Sequence, residues 1–188
     1  MKPARARRAG NARPVDGLTR SRMTMQAAPQ ITLTPVRNAE QLHMVRTLFL
    51  EYAQQLVVDL AFQGFERELA SLPGEYAPPA GELLLAEVDG APAGCSALRP
   101  LPGADHADAS EMKRLYVRPA FRGFGIGRQL ARRIMEIASQ IGYRCVLLDT
   151  LNDMEAARAL YAGLGFEEIP PYYHNPIVGA HYLKASLQ

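Results

Sequence analysis

Hydrophobic and polar positions along the chain repeat with two periods, near two and near 3.6, and the switches between them mark out the elements. The segment ITLTPV (31–36) alternates as a strand. Leu42, Val45, Phe49, Tyr52 and Leu56 then recur at helical spacing and predict an amphipathic helix over 39–60. FERELASL (65–72) predicts a second, shorter helix, stopped by Pro73 and Gly74 and followed by a Pro- and Gly-rich loop to Gly81. ELLLAEV (82–88) and PAGCSALR (92–99) flank Asp89-Gly90, the residue pair that favours a tight β-hairpin. After the loop 101–109, SEMKRLYV (110–117) alternates again and closes at Arg118-Pro119; this pattern puts Glu111, Lys113, Leu115 and Val117 on one face.

A helix is predicted from Gly125 to Ile141, with Ile126, Leu130, Ile134, Ile137 and Ile141 on one side and Gly142 as its stop. CVLLDT (145–150) reads as a buried strand. A last helix starts at Asn152 or Asp153 and runs through Met154, Ala157, Leu160 and Leu164 to Gly165. Two short strands, near 166–169 and 181–187, enclose the loop PPYYHNPIVG. The order is β-α-α-β-β-β-α-β-α-β-β, with no internal repeat. It predicts one α/β domain over 30–188 with a mixed sheet of about seven strands and about four helices.

Charge changes the picture at one end. The 188 residues carry 21 Lys and Arg against 19 Asp and Glu, a net charge of +2. Residues 1–22 hold seven of the basic residues and only Asp16, leaving 14 basic against 18 acidic in the rest. The body is therefore mildly acidic, and residues 1–29 are expected to form a basic, disordered leader. A nucleic-acid arm is the other reading of that charge. The leader lacks the apolar core of a secretory signal, and no stretch nears the ~20 apolar residues of a membrane span. A cytoplasmic protein is expected. Cys95 and Cys145 sit in apolar runs as buried thiols, and the four histidines have no metal-ligand spacing, so no metal is expected.

Candidate chemistry centres on YVRPAFRGFGIGRQLARR (116–133). A strand that enters a glycine-rich turn and then a helix presents unpaired backbone amides and the positive end of the helix dipole to an anion. Arg122 and Arg128 bracket the turn. The dinucleotide fingerprint fails because its third glycine would fall at Arg128, and no P-loop run exists. What remains is R-x-x-G-x-G, from Arg122 to Gly127. Arg128, Arg132 and Arg133 lack the interleaved aromatics of a nucleic-acid face.

Arg122-Gly123-Phe124-Gly125-Ile126-Gly127, preceded by LYVRP (115–119), resembles the [QR]-x-x-G-x-[GA] motif of the GNAT N-acetyltransferase superfamily, and the order of elements over 31–187 is similar to it as well. The resemblance implies a GNAT-like sheet and acetyl-CoA as acyl donor. The amides of the turn and residues Arg122 to Arg128 would hold the pyrophosphate, while the main chain of Leu115, Tyr116 and Val117 would pair with the pantetheine arm.

The same resemblance extends to NDMEAARALYAGLGF (152–166). It implies that Asn152 contacts the cofactor and that Tyr161 lies by the sulfur as general acid; Asn152 can also serve as a helix cap, with Glu155 completing a capping box. Glu111, six residues before Val117, holds the offset of the glutamate base in the histone-acetylating branch of the superfamily. It is a candidate base and acceptor contact, with an ordinary ion-paired role as the alternative. Tyr172, Tyr173, His174 and Asn175 are candidates for the acceptor wall, or for the packing of a rigid loop. The expected activity is direct acetyl transfer to a small-molecule amine. Peptide acetylation and a non-catalytic acyl-CoA sensor are the alternatives, and a homodimer is left open.

Overall fold

The computed structural model describes residues 28–56, 60, 63–152 and 154–188. The expected leader falls outside them except for Ala28 and Pro29. The elements are β1 (Ile31–Pro35), α1 (Ala39–Gln55), α2 (Phe65–Ser71), β2 (Glu82–Val88), β3 (Ala91–Pro100), β4 (Ala109–Val117), α3 (Ile126–Ile141), β5 (Cys145–Leu151), α4 (Glu155–Ala162), β6 (Glu167–Ile169) and β7 (Ala180–Ser186). Their order is the predicted one. They form a seven-stranded sheet in the order β1-β2-β3-β4-β5-β7-β6, antiparallel except for the β4–β5 pair.

Two apolar layers close over the sheet. Ile126, Leu130 and Ile134 of α3 pack with Leu84, Leu98, Met112, Val146 and Leu148 on one face. On the other, Val45, Leu48 and Phe49 of α1 pack with Leu83, Leu85, Cys95 and Ala97. The odd and even residues of β2 and β3 thus feed opposite layers, as a period of two requires. Asp89 (φ 50°) and Gly90 (φ 79°) form the hairpin turn, both left-handed as a type I′ turn demands. Gly142, at φ 107°, ends α3.

Three local expectations are corrected. Helix α1 stops at Gln55 instead of residue 60: Leu56 takes extended backbone (φ −77°, ψ 140°) and turns its side chain toward the central groove described below. Asn152 does not cap α4. The cap position is Met154, with no side-chain cap, and the Asn152 side chain is drawn instead to the ring of His181 on β7.

The third correction concerns β4. Cys95 pairs with Tyr116 and Ala97 with Lys113, so Ser96 alone faces both Arg114 and Leu115. This is a β-bulge, and Arg114 absorbs the extra residue at φ 57°. Alternation restarts after it with the faces exchanged. Glu111, Lys113 and Arg114 lie on the α1–α2 side, whereas Leu115 and Val117 pack against the α3 layer. One face for Glu111, Lys113, Leu115 and Val117 is therefore not what forms.

Strands β4 and β5 pair only over Ala109–Glu111 with Cys145–Leu147. From Met112 onward β4 has no strand neighbour on its β5 side, and the sheet opens as a wedge. Close packing holds the far edge of β4: a Cβ on Gly94 would lie 2.5 Å from the Tyr116 carbonyl oxygen and 3.3 Å from the Val117 Cα. Both contacts are to backbone, which cannot step aside. Gly94→Ala is expected to lower the unfolding free energy by about 2 kcal/mol, read from urea denaturation.

Candidate active site

The wedge holds a groove of about 1010 Å³. One wall is Leu115, Tyr116 and Val117; the floor is the glycine turn; the other wall is Leu151, Met154 and the α4 residues through Tyr161. Gly123 (φ 87°) and Gly125 (φ 74°) hold left-handed backbone that side-chain-bearing residues adopt at a cost, and a Cβ on either would project into open space. The constraint at these two positions is conformational, with an open approach above them. Among the described residues the backbone amides of Gly123, Phe124, Gly125, Ile126, Gly127 and Arg128 donate to no protein acceptor, and the first helical bond runs from Gln129 N–H to the Gly125 carbonyl. Six successive free donors at the head of a 16-residue helix make an anion cradle. Phe124 contributes its amide only, since its side chain is half exposed and lies outside the groove.

Arg122 and Arg128 line the groove but also brace it. Arg122 donates through Nε to the Val117 carbonyl (3.0 Å) and through Nη2 to Gln55 Oε1 (2.8 Å), tying the turn to β4 and α1. Gln55 in turn donates to the Tyr116 hydroxyl at 2.6 Å. Arg128 donates to the Gly163 carbonyl at the end of α4 (3.1 Å). Asn152 stands away from these residues, held by His181 and by the bond from its own amide to the Gly179 carbonyl.

Tyr161 lies at the inner end of the groove, buried against Phe166. Burial raises its hydroxyl pKa well above the ordinary value, so it holds its proton at neutral pH. With Tyr52, Leu56, Leu115, Leu151 and Met154 it also borders a second, inner cavity of about 50 Å³. That cavity is polar on its far side, where Lys113, Arg114, Asp149 and Thr150 meet. Beyond it a third space, about 330 Å³, opens between α2 and the β6–β7 loop and is lined by Arg99, Glu111, Lys113, Arg114, Tyr172 and Tyr173.

This outer chamber is built from ion pairs. Arg114 grips Glu68 with two bonds, Nε to Oε1 at 3.0 Å and Nη2 to Oε2 at 2.5 Å, and stacks over Phe65. Glu111 is 1% exposed, and its carboxylate is filled. It accepts from Arg99 Nε (2.8 Å), Arg99 Nη2 (2.7 Å) and the Tyr172 hydroxyl (2.9 Å), with Lys113 Nζ at 3.6 Å. Lys113 reaches across the wedge to Asp149 on β5 at 3.3 Å. Tyr172 and Tyr173 each pack edge to face on Tyr182 and lie tilted against one another, with ring centroids 5.3–5.5 Å apart, and fix the loop. His174 lines the same chamber from an exposed position, and Asn175 supports Tyr173 by donating to its hydroxyl at 3.1 Å. The four residues of YYHN thus split into wall and brace.

Residue 43 to residue 166 match the family model described as the acetyltransferase (GNAT) family. The chain belongs to the GNAT acetyltransferase family. An uncharacterised N-acetyltransferase of Schizosaccharomyces pombe is 37% identical over 164 residues, spanning 87% of this chain and 99% of that protein. N-acetylaspartate synthetase of Rattus norvegicus is 29% identical over 129 residues, 68% of this chain and 42% of that protein. Among solved structures, an acetyltransferase from Salmonella typhimurium with its cofactor acetyl-CoA shares the fold at a TM-score of 0.60 and 18% identity, over 84% of this chain and 94% of that one. As a GNAT acetyltransferase the protein is an N-acetyltransferase. Sequence reasoning missed Asp149 and Arg99 and took Lys113 only as a neighbour of Glu111: Asp149 sits inside an apolar run, and only the pairing of charges across β3, β4 and β5 links the three.

Among the described residues no group of three or more His, Cys, Asp and Glu is placed to hold a metal ion, and no helix is long and apolar enough to cross a membrane.

The Glu68–Arg114 pair is buried, and its balance sets an acid limit. Burial works to raise the Glu68 carboxyl, but the two bonds from Arg114 and its charge prevail and hold it below the usual carboxylate range. A carboxylate whose folded pKa is depressed stabilises the fold above its unfolded value, ~4.3, and loses that contribution as pH falls through the folded value. Arg114→Ala leaves a largely buried carboxylate with the Tyr76 hydroxyl still donating to it at 2.7 Å and is expected to cost about 3 kcal/mol of unfolding free energy at pH 7. The deficit of Glu68→Gln against the parent protein should shrink between pH 5 and about pH 2, as the parent's own Glu68 protonates; urea titrations across that range read both.

Proposed function

We propose that the protein transfers the acetyl group of acetyl-CoA directly to a primary amine of a small molecule. The observation that carries this reading is the succession of three spaces that share lining residues: a groove along the open edge of β4 with the anion cradle at its floor, a small inner cavity at Tyr161, and a polar chamber beyond it. The diphosphate would lie on the amides of residues 123–128 with Arg122 and Arg128 beside it. The pantetheine amides would bond the open edge of β4 at Leu115 and Val117, as an added strand does, with Arg122 yielding the Val117 carbonyl that it holds. When bound, acetyl-CoA supplies the thioester carbonyl that the amine attacks. Tyr161 would give its proton to the departing sulfur, and a neutral phenol is the form able to do so.

Two observations support direct transfer and a small acceptor. Among the described residues no cysteine or serine lines the groove, and Cys95 is buried in the α1 layer with its thiol pKa raised by burial, which favours direct transfer over an acyl-enzyme. The acceptor chamber is enclosed by the tyrosine-fixed loop and α2, with a volume suited to a compact molecule. The relative named for N-acetylaspartate synthesis fits an amino-acid-like acceptor. A cytoplasmic setting belongs to the same reading and agrees with two unpaired buried cysteines.

Acetyl-CoA at 100 times its Kd is expected to stabilise the protein by about 2.7 kcal/mol in thermal unfolding. Thiol release with a panel of L-amino acids and aliphatic amines should then reveal turnover. Stabilisation with no release on any amine or peptide would favour an acyl-CoA sensor. Tyr161→Phe is expected to lower kcat by about 10²-fold or more while the acetyl-CoA shift persists; unchanged kcat would remove Tyr161 from the reaction.

A further inference from the structure

Resting on the acetyl-transfer reading above, we infer that Asp149, and not Glu111, is the carboxylate that takes the proton from the acceptor amine. The cavities place them differently. Asp149 borders the inner cavity together with Tyr161, Leu115 and Met154, the residues that also end the donor groove. Glu111 borders only the outer chamber, with Lys113 between it and the inner cavity. An amine close enough to Tyr161 to attack a thioester at the end of the groove is beside Asp149 and one compartment away from Glu111.

The occupancy of the two carboxylates agrees. Glu111 is held by two nitrogens of Arg99 and the Tyr172 hydroxyl, with Lys113 nearby, which leaves little lone-pair capacity for an incoming ammonium. Among the described residues the one cation on Asp149 is Lys113, at 3.3 Å. The other groups within reach of its charge are tyrosines: Tyr52 of α1, Tyr161 of α4, Tyr182 of β7, and Tyr172 and Tyr173 of the loop. Burial first, and then Asp149 by its charge and by a hydrogen bond, raise the Tyr173 hydroxyl, with Glu111 adding to the effect; Asp149 thus faces a neutral aromatic wall with one cation and one hydroxyl on it. Lys113 is then a positioning residue. It spans the wedge between β4 and β5 and anchors Asp149 at the inner cavity, while Arg99 and Tyr172 hold Glu111 as part of the chamber wall.

The step balances as follows. The bound ammonium gives one proton to Asp149. The freed lone pair forms the N–C bond to the thioester carbonyl carbon, and the C–S bond breaks with its electron pair on sulfur. Sulfur takes the Tyr161 proton, and the nitrogen sheds its second proton to restore Tyr161. The proton on Asp149 leaves to solvent, so an ammonium and acetyl-CoA give an amide, coenzyme A and one proton.

The experiment uses the full chain, thiol release with the amine that gives the highest wild-type rate, and thermal unfolding with acetyl-CoA as the test of folding and donor binding. Asp149→Asn is expected to lower kcat by about 10²-fold or more with its acetyl-CoA shift retained, and Asp149→Glu to recover part of the loss. The deficit should narrow at least tenfold with hydroxylamine, a nucleophile already unprotonated at neutral pH; a merely structural role would not move with the nucleophile. Glu111→Gln should raise the acceptor KM more than it lowers kcat. Asp149→Asn retaining wild-type kcat while Tyr161→Phe loses it would overturn this assignment and leave the acetyl-transfer reading standing. Loss of the hydroxylamine difference, with Glu111→Gln carrying the kcat defect, would also overturn it.

Discussion

Ser96 of β3 has to face two residues of β4, and the protein meets this demand by placing Arg114 in left-handed backbone with its guanidinium bonded twice to Glu68. The strain of one non-glycine residue at positive φ is of order 1–2 kcal/mol, and the buried pair, the Gln63 contact at 3.0 Å and the stacking on Phe65 over-determine it. The rest of the site depends on that residue. Before the bulge, β4 sends Glu111 and Lys113 into a charged chamber; after it, Leu115 and Val117 pack on the α3 layer and the strand edge is left open. One strand thereby borders two spaces with opposite chemistry, an open backbone edge along the groove and an ion-paired wall in the chamber, which the proposed reading gives to donor and acceptor respectively. Tyr161 stands where the two meet.

Electrostatics divides along the same line. The groove is lined by Arg122, Arg128 and free amides at the turn, with Glu155 on the α4 wall, which suits a polyanionic donor at the turn. The chamber is balanced: Arg99, Lys113 and Arg114 face Glu68 and Glu111, and Lys113 also reaches Asp149, which borders the inner cavity. Buried pairs of this kind seldom add stability over an apolar core, and their value here is geometric. They fix the positions of the carboxylates around the two inner spaces.

The order of elements and the location of the glycine turn were legible because both rest on local signals: the hydrophobic period within a segment, and left-handed glycines ahead of a helix. The hairpin at Asp89-Gly90 is legible for the same reason. The bulge was not. Nothing in SEMKRLYV marks Arg114 as the residue to be skipped, and the extra position exists only once β3 is laid opposite β4. An alternation read through it inverts every side chain beyond, which is how Glu111 came to be grouped with Leu115 and Val117. Asn152 shows the same limit. Its spacing suits a cap, but a partner on β7, 29 residues away, takes the side chain instead. Asp149 was invisible for a related reason, since one acid in CVLLDT acquires meaning only when Lys113 reaches it across the open sheet.

The central claim is that the wedge between β4 and β5 seats the acyl donor with its sulfur at Tyr161 and its diphosphate on the glycine turn. A crystal structure of the protein with coenzyme A tests it most directly. The account predicts diphosphate oxygens bonded to amides within residues 123–128, the pantetheine arm along the free edge at Leu115 and Val117, and the thiol within hydrogen-bonding distance of the Tyr161 hydroxyl. A coenzyme A bound with its diphosphate away from the turn, or with its thiol directed out of the wedge, would contradict it.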